Sequence, residues 1–65
     1  MPRRSNFKLY AARVEKLWTV KEAAAAVGVS PQTILRWEAR KQDPHVSSLR
    51  SLCTAYNEKP WELGY

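Results

Sequence analysis

Gln32, Thr33 and Arg36 lie three and four residues apart in a segment with strong helix signals, and Arg40 follows one turn later. An amide, a hydroxyl and guanidinium groups on one helix side suit hydrogen bonding to base edges. Gln can pair bidentately with adenine, and Arg with guanine or a phosphate. A helix anchored on one side and offering such groups on the other fits a DNA major groove. The competing reading is an ordinary solvated helix face. Bond-making chemistry has no support, because no Ser/His/Asp set, carboxylate pair or phosphate loop is present. One cysteine, Cys53, and one histidine, His45, cannot fill a tetrahedral zinc site. No enzyme, metal, cofactor or small-molecule substrate is therefore expected.

The elements that must position these groups are all helical. Alternating β-branched runs bounded by turns are absent. A first helix is expected from about Asn6 to Leu17, burying a stripe of Phe7, Tyr10, Ala11, Val14, Leu17 and Trp18. Lys8, Glu15 and Lys16 fall outside that stripe. Thr19-Val20-Lys21-Glu22 has capping-box form and opens a second helix. Its inner face is Val20, Ala23, Ala24 and Val27, and Gly28 ends it in a left-handed conformation. Ser30 as N-cap and Pro31 at the first position start a third helix over 31–40. At 100° per residue, Ile34, Trp37 and Glu38 point inward, with Gln32, Arg36, Ala39 and Arg40 outward. A polar loop leads to a fourth helix, about Val46 to Tyr56, with a stripe of Val46, Leu49, Leu52, Cys53 and Tyr56 and with Asn57 as C-cap. Cys53 reads as a small buried hydrophobe, and His45 as a helper of the helix-4 cap. A last turn begins at Pro60 and holds Trp61 and Leu63.

Sixty-five residues make one small domain. We divide it into a basic N-terminal arm, 1–5, and a helical domain, 6–65, with a helix-turn-helix at about 19–40. The formal net charge is +5, and it is uneven: residues 1–50 hold ten Lys/Arg against four Asp/Glu, residues 51–65 one against two. A basic body suits a polyanion partner. No apolar run approaches the roughly 20 residues that span a bilayer, and MPRRSNF lacks the apolar region of a signal peptide. A cytoplasmic protein, associated with the nucleoid when on DNA, is expected.

The pattern T-x-x-E-A-A-x-x-V-G-V-S-x-x-T-I-x-x-W-E, followed by Pro44 and a fourth amphipathic helix, resembles the lambda-repressor/Cro-like (Xre-type) helix-turn-helix family of prokaryotes and phages. The match covers about residues 8–63. The resemblance implies an all-α, compact domain of four to five helices that binds double-stranded DNA and regulates transcription. It also implies a structural ion pair between Arg13 and Glu38. The inward position of Glu38 agrees, since a buried carboxylate needs a partner. The chain departs from the family pattern at Val20 and Pro31, where polar contacts are usual, and at Leu35, Glu58 and Lys59.

On this basis Gln32, Thr33, Leu35 and Arg36 are the expected base-reading residues, Leu35 through a thymine methyl or else as part of the core edge. Thr19, Lys21, Ser30, Arg40, Lys41 and Gln42 are the expected phosphate-binding residues. Arg3 and Arg4 suit a solubilising tail or an arm following a groove. Trp18 and Trp37 belong to the core, and Trp61 to a core lid or a dimer surface. A homodimer is the further expected partner, since one module contacts only a few base pairs. The chain reads as a complete small regulator or as the front domain of a longer protein. The alternative function is an adaptor that keeps the fold without DNA readout.

Overall fold

The computed structural model describes residues 5–65. Arg3 and Arg4 of the expected arm lie outside the described residues. The order is α1 (Phe7–Glu15), α2 (Val20–Val27), α3 (Pro31–Glu38), α4 (Val46–Tyr56) and a 3-10 turn, Pro60–Leu63. No strand occurs among the described residues, so the all-α expectation holds. None of these helices is long and apolar enough to cross a membrane.

Local signals account for most boundaries. Thr19 Oγ1 accepts from the Glu22 N–H at 3.1 Å, and the Glu22 carboxylate accepts from the Thr19 N–H at 2.9 Å. This reciprocal cap satisfies two backbone donors that a helix start leaves unmet. Gly28 closes α2 at φ 88°, a left-handed conformation that glycine enters without a Cβ penalty. Ser30 Oγ caps α3 by accepting from the Thr33 N–H. Asn57 ends α4 at φ 53°. His45 occupies the N-cap position of α4 but makes no side-chain cap bond, so its expected capping role is not realised.

The core joins all the elements. Leu9 and Ala12 from α1, Ala23 and Ala24 from α2, Ile34 and Trp37 from α3, Leu52 and Tyr56 from α4, and Leu63 are buried. Each fully buried aliphatic side chain contributes roughly 1.5–3 kcal/mol. The two alanines let α3 approach α2 closely, which the helix-turn-helix geometry requires. Trp18 lies half-buried with its ring edge-on to Tyr56 at 5.5 Å.

Three expectations are corrected here. First, α1 is rotated. Phe7, Tyr10, Val14 and Leu17 are exposed, and Leu9 and Ala12 are buried instead. The cause is Asn6. Its N–H donates to the Glu38 carbonyl at 2.7 Å, and its side-chain amide donates to the Leu63 carbonyl at 2.7 Å. Asn6 and Arg13, two turns apart, both turn toward α3, which carries Leu9 and Ala12 inward between them. Second, α1 stops at Glu15 and Leu17 takes φ 59°. Likewise α3 stops at Glu38, with Arg40 at φ 55°. Third, Val46 is 76% exposed, because it starts α4 at the rim rather than over the core.

Candidate nucleic-acid interface

The inward side of α3 is set by burial of Ile34, Trp37 and Glu38. Gln32, Leu35 and Arg36 are consequently exposed on the other side, and Thr33 is half-buried on the flank. Leu35 is 52% exposed, so it is not part of the core edge. It shares a shallow concavity with Phe7, Tyr10 and Ala39.

The start of α3 has few free donors. Pro31 has no N–H, and the Thr33 N–H goes to Ser30 Oγ at 3.3 Å. Ser30 Oγ and Thr33 Oγ1 are also hydrogen-bonded at 2.8 Å, which holds the two hydroxyls together. The Gln32 N–H and one of the two hydroxyl protons are not used by this cap. The start of α2 is better supplied, because the capping box leaves the Val20 and Lys21 N–H groups outside it. The positive end of the helix dipole favours an anion at such a place. Val20 is half-buried against the core, which explains why an apolar residue follows the cap. Lys21, Lys41 and Gln42 are exposed.

Arg40 is placed differently from the expected phosphate-facing set. Its guanidinium donates to the Gly64 carbonyl at 3.2 Å and lies 5.8 Å from the Tyr65 ring centroid. The left-handed backbone at Arg40 breaks the helical direction, so the side chain leaves the Gln32–Arg36 face and turns to the C-terminal turn.

Behind the exposed face, Arg13 Nε donates to Glu38 Oε2 at 2.7 Å, and a second guanidinium nitrogen reaches Glu38 Oε1 at 3.3 Å. A third bond runs to the Trp18 carbonyl at 3.0 Å. The bond to Glu38 raises the Arg13 pKa above its ordinary value. Burial pushes the Tyr56 phenol up to about 12. Among the described residues, no hydrogen-bond partner meets the buried Trp37 Nε1 or the buried Tyr56 hydroxyl.

Asn6 is the residue whose importance sequence reasoning missed. A small polar residue just before an apolar helical run is an N-cap signal, and Asn6 Oδ1 does accept from the Leu9 N–H at 3.1 Å. Its link to Leu63, across 57 positions, has no local signature.

A helix-turn-helix family model matches residues 9–63. No curated protein and no solved structure gives a match.

Proposed function

This chain belongs to the Xre/lambda-repressor-like helix-turn-helix family, and we propose that it binds double-stranded DNA sequence-specifically through α3 in the major groove. It then acts as a transcriptional regulator or as the DNA-binding domain of one, in the cytoplasm where its DNA lies. The observation that carries this reading is the two-sidedness of α3. Ile34, Trp37 and Glu38 anchor it, and Gln32, Leu35 and Arg36 are left exposed.

In this reading Gln32 and Arg36 hydrogen-bond base edges, and Leu35 and the Thr33 methyl touch thymine methyls. Thr19 and Lys21 hold one phosphate at the start of α2, and Ser30, Lys41 and Gln42 hold others. Arg40 supports the domain from behind. Two copies on a palindrome would place their α3 helices about 34 Å apart, one helical turn of DNA.

The test is selection of bound duplexes from a random pool at near-physiological salt, with wild type and with the Gln32→Ala/Arg36→Ala variant. Wild type is expected to enrich a short motif that the folded variant loses. Failure of wild type to enrich any motif overturns base readout. It would favour the alternative of an adaptor, which draws support from the exposed Leu35 and Trp61.

A further inference from the structure

The outer side of α3 carries two parallel rows of side chains. Gln32 and Arg36, four residues apart, make a polar row, and Pro31 and Leu35, each one position earlier, make an apolar row beside it. Residues four apart on a helix stand one above the other on the same face. All four are exposed. Neither apolar residue serves the core, because the buried side of α3 is Ile34, Trp37 and Glu38. The polar readout falls to Gln32 and Arg36, since the flanking Thr33 hydroxyl is already held by Ser30 Oγ at 2.8 Å.

Base-pair edges in the major groove offer hydrogen-bond donors, acceptors and one apolar group, the C5-methyl of thymine. The N-terminal residues of a recognition helix are those that meet these edges, and Pro31 opens α3 with Leu35 one turn later. Pressing either side chain on a donor or acceptor strips water from it and returns no hydrogen bond, which is unfavourable. Pro31 has no N–H to offer an acceptor through its backbone. Against a methyl group the same contact removes apolar surface from both partners, which is favourable. Four residues at about 1.5 Å each separate the two side chains by about 6 Å along the helix. That span matches base pairs about two steps apart, at about 3.4 Å per step.

Resting on the proposal that α3 lies in the major groove, we infer that Pro31 and Leu35 read the pyrimidine methyl itself, so that the affinity of this chain follows the methylation state of its site. Thymine and methylcytosine carry the methyl at the same ring position, and uracil and cytosine lack it. At the pyrimidines facing Pro31 and Leu35, thymine is preferred to uracil and methylated cytosine to unmethylated. Gln32 and Arg36 make the remaining choices by hydrogen bonding and do not respond to the methyl.

The experiment runs the random-pool selection on the full chain twice, once with thymine and once with uracil in its place, and then measures affinity on the enriched duplex. The thymine pool is expected to enrich a motif that loses about fourfold in affinity for each facing thymine changed to uracil, the fold-change that corresponds to about 0.8 kcal/mol for one buried methyl. With cytosine at the same positions, methylation should raise affinity by about the same factor. Leu35→Ala and Pro31→Ala, both at exposed positions and checked for unchanged melting, should each remove the uracil penalty at one position. Gln32→Ala should keep the penalty at both. The inference is overturned if both pools enrich the same motif with equal affinity, or if methylating cytosine brings no gain. It is also overturned if the uracil penalty persists undiminished in both variants, because duplex shape would then be its origin. In each of these cases the DNA-binding reading still stands. If the thymine pool enriches nothing, both readings fall together.

Discussion

Arg13 and Glu38 meet at 2.7 Å with both side chains about nine-tenths buried, and this pair ties the last turn of α1 to the last turn of α3. The backbone carbonyl of the same glutamate takes the Asn6 N–H. Glu38 therefore holds α1 at both of its ends. Arg13→Ala would strand a buried carboxylate, at a cost of about 3–5 kcal/mol. A domain of this size has about 3–10 kcal/mol of stability in total. Arg13→Ala is expected to be largely unfolded at room temperature by circular dichroism. Replacing both partners by apolar residues, Arg13→Met with Glu38→Leu, should be the milder change. A double variant less stable than Arg13→Ala would show that the pair is not the main loss.

Tyr56 makes the fold sensitive to alkali. Its phenol is pushed up from 10.0 to about 12, chiefly by burial, with the Glu38 carboxylate adding and Arg13 opposing. The folded state therefore holds the proton more tightly than the unfolded chain. The stability this confers is complete below pH 10 and is lost as pH rises toward about 12. The loss should be on the order of 2–3 kcal/mol. Denaturant midpoints measured across this range should fall in wild type and stay nearly level in Tyr56→Phe until other groups titrate. At neutral pH Tyr56→Phe should match or exceed wild type, because the hydroxyl it removes has no hydrogen-bond partner among the described residues.

Two glycines with similar backbones should respond differently to alanine. Gly28 (φ 88°) faces open space, so Gly28→Ala should cost only the left-handed strain, about 1–2 kcal/mol. At Gly64 (φ 85°) a Cβ would collide with the Asn6 side-chain amide. Gly64→Ala should therefore cost distinctly more, since it also disturbs the Asn6 bonds that orient α1. Thermal melts of the two variants side by side check the order.

For DNA binding, Lys41→Ala and Gln32→Ala should separate two kinds of contact. Losing a phosphate contact weakens binding alike on all sequences and reduces the slope of log affinity against log salt by about 0.9. Losing a base contact costs about 1–3 kcal/mol on the preferred motif and relaxes choice at one position. Affinity measured on matched and mismatched duplexes over a salt series distinguishes them. Equal behaviour of the two variants would place Gln32 off the bases.

The sequence by itself determined most of the helix starts and stops that rest on a capping side chain or a glycine, though not the ends of α1 and α3 at Glu15 and Glu38 or the uncapped start of α4 at His45. The Thr19–Glu22 cap, the Gly28 stop, the Ser30-Pro31 start and the Asn57 end are local, because each is a hydrogen bond or a backbone torsion set by adjacent residues. The inward face of α3 was equally legible, since Ile34, Trp37 and Glu38 leave a single way to bury the bulk. The family pattern named Arg13 and Glu38 as partners, and burial of both gives that pairing its physical weight.

Only the tertiary structure decided the rotation of α1. Its sequence carries two apolar stripes, Phe7-Tyr10-Val14-Leu17 and Leu9-Ala12, and periodicity favours the bulkier one. Three groups held from outside the helix choose the other: Asn6 at Leu63, the Asn6 N–H at Glu38, and Arg13 at the Glu38 carboxylate. A buried polar group left without its partner costs more than an apolar side chain left in water. The polar anchors therefore set the angle, and the larger stripe was left at the surface.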